Sequence, residues 1–181
     1  MKKITELKTT RLKLRQWRKE DWPLFAELNA DPEVMAFYPS TLTTDESNAM
    51  ADKISGLINE NGWGFWAVEI RAQQPFIGFV GLHQPSYKLP VTPCVEIGWR
   101  LAKAYWGNGY ATEAAQCALT FAFEQLHLDE VFSFASLANT KSEAVMQRIG
   151  MVNTHKNFNH PMIPTDHPLA EHVLYRIGSH L

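Results

Sequence analysis

The sequence predicts an α/β fold in which helices flank a mixed, mostly antiparallel sheet. The first half contains four segments with strand character, at residues 11–16, 63–70, 76–83 and 94–101. The second half alternates between helical and strand patterns. No linker, repeat or low-complexity tract interrupts the chain, and 181 residues are enough for one hydrophobic core. We therefore expect a single domain over residues 1–181, mixed and not doubly wound.

The composition is that of an ordinary globular protein, with 45% apolar and 12% aromatic residues. The formal net charge of −2 gives no general attraction to nucleic acid or to an anionic membrane, so neither is expected as a partner. No apolar run approaches the roughly 20 residues that span a bilayer, and the N-terminus does not resemble a signal peptide. Cys94 and Cys117 are too few for a disulfide framework or a four-ligand zinc site. A cytoplasmic location with reduced thiols is the expectation.

The first strand and the first helix have local signals. Leu12 and Leu14 alternate with charged residues, which predicts a half-buried strand. Asp21 is placed to cap a short helix over residues 22–29. A turn at residues 31–33 then leads toward the second helix.

A longer helix begins at a predicted capping box. The side chains of Thr43 and Glu46 have the spacing at which each satisfies an amide at a helix start. This helix is expected to run to about Ile58 and to stop at Gly62. Strands then follow, and a Pro-rich loop at residues 84–93 precedes the last strand of this half.

The second half predicts helices at residues 112–126 and 141–149. A strand at residues 130–137 lies between them. Two strands, at residues 152–158 and 172–177, close the chain on either side of a loop rich in Pro and His.

Gly107 and Gly109 join a strand to an alanine-rich helix. Backbone N–H groups at a helix start lack partners and lie at the positive end of the helix dipole. Glycines let such a backbone approach a phosphate, so residues 107–112 are a candidate anion-binding cradle. The alternative is that Asn108-Gly109 is only a tight turn before the helix. A P-loop needs Lys followed by Ser or Thr, and Thr112 occupies the third small position of a Rossmann fingerprint, so both fit badly.

The loop is part of a string that reads Glu-Ile-Gly-Trp-Arg-Leu over residues 96–101 and Tyr-Trp-Gly-Asn-Gly-Tyr-Ala-Thr-Glu-Ala over residues 105–114. This string resembles the GNAT acetyltransferases, whose pyrophosphate motif is Gln or Arg, two residues, Gly, one residue, then Gly or Ala. Trp106 replaces the first motif residue, as is common in the ribosomal-protein N-terminal (Rim-type) branch. Residues 7–15 and 139–151 resemble the same branch, so the similarity covers nearly the whole chain in order.

The resemblance implies a seven-stranded mixed sheet that splays open and is flanked by about four helices. It also implies acetyl-CoA as co-substrate, without a metal, wedged between the fourth strand (residues 94–101) and the fifth (residues 130–137). The pyrophosphate would lie on the cradle, and pantetheine along the fourth strand. The implied cofactor-binding residues are Trp99, Arg100, Leu101, Trp106, Gly107, Asn108, Gly109, Tyr110, Ala111, Thr112 and Asn139. For Asn139, an ordinary turn residue before a helix is the alternative.

Glu96 is the candidate base, because acetyl transfer requires the attacking amine to lose a proton. A carboxylate in a central strand is costly without a role or a partner. The alternative is a salt bridge to Arg100, two pleats along the same strand face. In some GNAT enzymes a glutamate of this strand deprotonates the amine, which favours the catalytic role.

Ser142 is the candidate acid that protonates the leaving thiolate. Many GNAT enzymes place a tyrosine where this chain has Met146, whereas Ser142 matches the serine that the Rim-like branch uses. The alternative for Ser142 is a polar first-turn residue beside a capping box formed by Thr140 and Glu143.

A cluster of aromatic residues falls in the region that resembles the acceptor site: Phe37, Tyr38, Trp63, Phe65 and Trp66. Core packing is the alternative for most of them, and Tyr38 is the one expected near the substrate. The histidines at 155, 160, 167 and 172 lack the spacing of a metal site and are expected to anchor loops or lie at the surface.

The function that these features favour is direct transfer of acetyl from acetyl-CoA to a primary amine in a ternary complex. The acceptor is left open between a protein N-terminal α-amine and a small molecule, because this fold serves many acceptors. A catalytically idle acyl-CoA-binding module and a nucleotide-dependent oxidoreductase are the alternatives. The oligomeric state is left open between a monomer and a homodimer.

Overall fold

The computed structural model describes residues 3–179 and contains one sheet of nine strands. The strands are β1 (Leu7–Lys8), β2 (Leu12–Arg15), β3 (Phe65–Ile70), β4 (Gln74–His83), β5 (Glu96–Leu101), β6 (Glu130–Ser136), β7 (Val152–Asn153), β8 (Phe158–Asn159) and β9 (Glu171–Gly178). The α-helices are α1 (Asp21–Ala30), α2 (Thr44–Asn61), α3 (Tyr110–Glu124) and α4 (Thr140–Arg148). A single 3₁₀ turn, Lys103–Tyr105, follows β5.

The strand order is β1-β2-β3-β4-β5-β6-β9-β7, with β8 beside β9. All neighbouring strands are antiparallel except β5 and β6, which are parallel and in register only at Glu96 and Phe132. Beyond that point the two strands separate, so the sheet splays open toward the carboxyl end of β5. The predicted mixed, splayed sheet with four helices is confirmed.

The predicted count of seven strands is wrong for two local reasons. The first is β1, a two-residue strand before the first predicted one. The second is the predicted strand over residues 152–158, which is interrupted between β7 and β8. There His155 has a positive φ of 56°, and its amide donates to Asn153 Oδ1 at 2.7 Å, which closes a turn.

Helices cover both faces of the sheet. On one face α1 packs through Phe25, whose ring meets those of Trp17 and Phe79 edge-on at 4.8 and 6.0 Å. On the other face α3 packs through Phe121, whose ring meets Trp66 edge-on at 5.5 Å. None of the described helices is long and apolar enough to cross a membrane.

The helix signals in the sequence have different outcomes. Thr43 and Glu46 form the predicted capping box, and Gly62 ends α2 with a φ of 84°. The predicted cap at Asp21 is wrong, because Asp21 is the first residue of α1 and its carboxylate binds a guanidinium instead.

Arg15 and Asp21 form a buried ion pair beneath α1. Asp21 accepts from Nη1 of Arg15 at 2.7 Å and from Nη2 at 2.8 Å, and Glu69 accepts from Nε at 2.9 Å. The Arg15 side chain is fully buried. We expect Asp21→Ala to lower the free energy of unfolding by about 3–5 kcal/mol, because it leaves a buried cation with only one of its two carboxylates.

Urea unfolding of the two proteins measures this loss. The matched control is Asp52→Ala, since Asp52 pairs with Lys19 at 3.7 Å and both side chains are mostly exposed. It should change stability by less than about 1 kcal/mol. Equal effects of the two substitutions would contradict the role given to the buried pair.

Candidate active site

A cavity of about 840 Å³ lies where β5 and β6 separate. From the α1–α2 side it is lined by Phe37, Tyr38 and the Arg100 side chain. From the other side it is lined by the loop before α3 and by α4. Because both groups of residues border one space, the cavity connects the two faces of the sheet through the gap between β5 and β6.

Residues 107–112 have an open backbone, and all of them except Asn108 line this cavity. Gly107 and Gly109 both have a φ of 76°, a conformation that strains residues with a Cβ, and Gly109 is the residue before the first turn of α3. Among the described residues, no acceptor is found for the amides of residues 107–112. Asn108 instead turns its side-chain amide back onto the carbonyl of Trp106 at 3.0 Å. Six open amides favour an anion cradle over a simple tight turn.

The cradle is held in place from outside the cavity. Arg11 donates through Nη1 to the carbonyl of Asn108 at 2.9 Å and through Nε to Glu113 of α3 at 2.6 Å. Its guanidinium also lies 4.6 Å from the ring centre of Tyr110. The indole of Trp106 donates to the carbonyl of Leu101 at 2.8 Å, which ties the loop to the end of β5. These contacts fix the loop without using its amides.

The free edge of β5 presents backbone groups to the gap. Ser133 Oγ donates to the carbonyl of Ile97 at 2.9 Å, so that carbonyl faces β6. Alternate residues of a strand present their backbone groups to the same edge, so Trp99 and Leu101 also face the gap. The same alternation turns the backbone of Arg100 toward β4. Only the Arg100 side chain therefore reaches the cavity.

Glu96 is buried and has no partner. Its side chain is 8% exposed, and it makes no hydrogen bond or ion pair with residues 3–179. Burial, which penalises the charged form, raises its pKa to about 8. The alternative of a salt bridge to Arg100 is wrong, because Arg100 binds Asn29 instead. Glu96 does not line the cavity itself but stands where the gap begins.

Cys94 and Tyr87, two groups that feel the charge of Glu96, are neutral. Burial raises the pKa of Cys94 to about 11 and also raises that of Tyr87, and in both residues the charge of Glu96 adds to the effect. The Tyr87 hydroxyl lies 3.3 Å from Nε2 of His160, whose pKa is lowered to about 4 by burial and by His172. None of the described residues provides a cation that stabilises the ionised form of Glu96, so its carboxyl keeps a high affinity for a proton. Tyr87 lies in the Pro-rich loop and carried no sequence signal.

The start of α4 brings Asn139 and Ser142 to the cavity. The predicted capping box of Thr140 and Glu143 is wrong. Asn139 is the N-cap, and its Oδ1 accepts the amide of Ser142 at 3.1 Å. Glu143 instead accepts the hydroxyl of Tyr175 at 2.7 Å. The cap uses only the oxygen of Asn139, so its side-chain NH₂ group has no acceptor among the described residues.

Two cations of α4 also line the cavity, and sequence reasoning missed them. They are Lys141 and Arg148. Their spacing of seven residues places them on one face of a helix, and that spacing was the available signal. The Lys141 ammonium lies 4.5 Å from the ring centre of Trp106, beside the cradle.

Two of the five aromatic residues predicted near the acceptor line the cavity. Phe37 and Tyr38 line the cavity, whereas Trp66 is fully buried core. Phe65 packs on the sheet face beside Gly98, where an added Cβ would meet its ring at 3.3 Å. The ring nitrogens of His160, His167 and His172 bond to backbone groups of their own loop. No cluster of three or more metal-ligating side chains occurs within residues 3–179.

Comparison with known proteins gives one family. Residues 11–152 match the model of the acetyltransferase (GNAT) domain. An uncharacterised N-acetyltransferase of Bacillus subtilis, YnaD, is 33% identical over 144 residues, which is 79% of this chain and 80% of the relative. The putative ribosomal N-acetyltransferase YdaF of the same species is 32% identical over 141 residues, 78% of this chain and 68% of the relative.

Solved structures show the same fold. A GNAT-family acetyltransferase from Bacillus anthracis superposes with a TM-score of 0.80 at 25% identity and covers 98% of this chain and 100% of its own. Spermidine N-acetyltransferase from Vibrio cholerae, solved with CoA and spermine, gives a TM-score of 0.73 at 21% identity, with 95% and 98% of the two chains covered.

Proposed function

Because this chain belongs to the GNAT family of acetyltransferases and is therefore an acyltransferase, we propose that it transfers acetyl from acetyl-CoA directly to a primary amine in a ternary complex. The observation that supports this most is the row of six open amides at residues 107–112, which borders a cavity running through the sheet. A diphosphate is the ligand that such a row of donors accepts.

The cavity offers complementary groups along the length of CoA. The diphosphate would lie on the cradle. Lys141 and Arg148 line the same cavity and would pair with the phosphate charges. The pantetheine amides would pair with the backbone groups of Trp99 and with the amide of Leu101, as an added strand pairs with a sheet edge. The carbonyl of Leu101 is already used by the indole of Trp106. This path leads the thioester toward Glu96, where the gap between β5 and β6 begins.

The reaction that we propose needs two proton transfers. The amine nitrogen attacks the thioester carbon, the C–N bond forms, and the C–S bond breaks. Glu96, in its ionised form, takes the proton that the amine loses. Ser142 donates a proton to the leaving thiolate, and it regains one from the solvent, to which Glu96 releases the proton of the amine.

Ser142→Ala is expected to lower kcat about 10²-fold and to leave the KM for acetyl-CoA nearly unchanged. The helix cap should survive, because Asn139 accepts from the backbone amide at position 142, which alanine keeps. Thiol release from acetyl-CoA under saturating acceptor measures the effect. Thr120→Ala, on the exposed side of α3, is the control. An unchanged kcat for Ser142→Ala would remove the serine from the mechanism.

Thiol release against a panel of amines and N-terminal peptides tests the function as a whole. Turnover with any member, accompanied by an acetylated product, is expected. CoA binding without turnover across a broad panel would instead support the idle acyl-CoA-binding module. The family assignment favours acyl transfer over the oxidoreductase alternative, and heat protection by CoA but not by NAD checks this.

The acceptor remains open between two classes. The relative YdaF is named a putative ribosomal N-acetyltransferase, and the spermidine N-acetyltransferase was solved with spermine, so the names of similar proteins point to both classes. The predicted placement of Tyr38 near the acceptor is part of this proposal. The cytoplasmic location, the single-domain extent and the choice between monomer and homodimer stay predictions.

A further inference from the structure

Arg100 is a buried cation without a counter-charge. Its side chain is only 8% exposed, yet it lines the cavity. None of the ion pairs among residues 3–179 includes it. Its Nε also lacks any hydrogen-bond partner within that part of the chain. A buried, uncompensated charge is costly. The position of Arg100 therefore indicates that a negatively charged group binds to it in the cavity.

The contacts of Arg100 fix its position but do not neutralise it. Its Nη1 donates to Oδ1 of Asn29 at 2.6 Å, and Asn29 is itself held by Ser47, to which its Nδ2 donates at 2.9 Å. The guanidinium carbon lies 4.1 Å from the ring centre of Tyr38 and 5.5 Å from that of Phe79, both within cation–π range. These groups are neutral, and so is the Met50 sulfur, which lies 3.9 Å from Nη1. They orient a guanidinium and leave its charge available.

A second buried arginine in the same sheet shows the difference. Arg15 is even more deeply buried, but the chain supplies it with two carboxylates, Asp21 and Glu69. Arg100 has none. This contrast indicates that the partner of Arg100 is not part of the described chain.

The group that pairs with Arg100 would lie on the acceptor side of the sheet, next to α1 and α2. Arg100 is paired across β4 with Phe79 and touches residues of α1 and α2, so it stands on the α1–α2 face. The cradle and the cations of α4 border the cavity from the opposite face. We therefore assign the phosphates of CoA to the cradle and to the cations of α4, and not to Arg100. Glu33, an acidic residue of the cavity wall, is already paired with Lys103.

We propose that Arg100 binds a carboxylate of the acceptor, so that the acceptor is a small amine carrying an acid group, such as an amino acid. Glu96 and Arg100 share one face of β5, four residues apart, which separates their Cα atoms by about 13 Å. An acceptor between them presents its amine toward Glu96 and its carboxylate to the guanidinium fork. A polyamine would place a second cation against Arg100, which disfavours that class.

The test rests on the proposed function and uses matched acid and amide acceptors. Glycine, β-alanine and 4-aminobutyrate are each compared with the corresponding primary carboxamide in the thiol-release assay. The wild-type protein should prefer the acids by about 10–100-fold in kcat/KM. Arg100→Gln should abolish this preference mainly through KM, and Arg100→Lys, which keeps the charge but loses the fork, should keep part of it. Lys88→Gln, at an exposed loop position, should change nothing.

A binding experiment without turnover separates this inference from the proposed function. Heat protection is measured with CoA plus propionate or butyrate, against the corresponding amides at equal ionic strength. Protection by the acids that disappears in Arg100→Gln supports the inference even if no amine is acetylated. Equal behaviour of acid and amide in the wild-type protein overturns it. A loss of CoA binding in Arg100→Gln also overturns it, since the arginine would then serve the co-substrate. If the glutamine variant does not fold, the lysine variant decides by the same comparison.

Discussion

Replacement of Glu96 by glutamine is expected to lower kcat/KM for acetyl transfer by about 10²–10³-fold, while CoA binds as before. Glutamine has nearly the same shape, so a buried site with no ionic partner tolerates it. What it removes is the carboxylate that takes the proton of the amine. Thiol release with subsaturating acceptor measures kcat/KM, and heat protection by CoA measures binding.

The pH profile distinguishes a base from a structural carboxyl. Because burial raises the pKa of Glu96 to about 8, the ionised form is the minority at neutral pH. In the wild-type protein kcat/KM should rise with pH and level off above about 8. Two acceptors whose own amine pKa values differ should show the same rise of kcat/KM with pH, because the titrating group is Glu96 of the enzyme. The rise should be absent from Glu96→Gln.

Stability gives an independent reading of the same pKa. The folded protein keeps the Glu96 proton up to pH about 8, whereas the unfolded chain releases it near its ordinary pKa of 4.5. The neutral carboxyl thus contributes fully to the free energy of unfolding at low pH. This contribution is lost as the pH rises from 4.5 to about 8, by about 1.4 kcal/mol per pH unit. Glu96→Gln should therefore gain in Tm relative to wild type between pH 5 and pH 9. Glu60→Gln, at an exposed position of α2, should show neither effect.

The elements that the sequence predicted well depend on neighbours in the chain. The capping box at Thr43 and the αL glycine at position 62 require only residues within one turn, and both are confirmed. The glycine loop belongs to the same class, because φ values of 76° at Gly107 and Gly109 are a property of the local backbone. The strands of the central sheet were also predicted in place, with ends within about two residues of those observed.

The features that the sequence could not give depend on residues far apart in the chain. Asp21 has the spacing of an N-cap, but a buried guanidinium at Arg15 takes its carboxylate. Glu96 and Arg100 have the spacing of a cross-pleat ion pair, but α1 brings Asn29 to Arg100 and leaves Glu96 alone. Tyr87 approaches Glu96 only because a Pro-rich loop folds over β6. Tertiary contacts, and not local propensity, decide which of the possible partners each of these side chains binds.

Gly109→Ala is expected to weaken CoA binding by about 10²-fold. The methyl group strains a backbone with a φ of 76°, and the first turn of α3 should move to relieve it. Each amide of the cradle that loses a phosphate oxygen costs about 1.5–3 kcal/mol, because the acceptor is charged. An added Cβ at Gly109 meets only the end of the flexible Arg11 side chain, at 3.5 Å, so the fold itself should persist. Isothermal titration with CoA measures the loss.

Gly56→Ala is the matched control for this substitution. Gly56 lies inside α2, and nothing stands within 4 Å of its added Cβ. Alanine there should raise the free energy of unfolding by about 0.5–1 kcal/mol and leave the Kd for CoA unchanged.

An acetyl donor without the diphosphate shows where the effect of Gly109→Ala arises. Acetyl-pantetheine retains the thioester and the amides that would pair along β5 but has no phosphate for the cradle. If residues 107–112 act by holding the diphosphate, Gly109→Ala should lower kcat/KM with acetyl-CoA and leave the smaller value with acetyl-pantetheine unchanged. An equal loss with both donors would mean that the glycine shapes the site near the thioester, and the open amides would lose their role as a phosphate cradle.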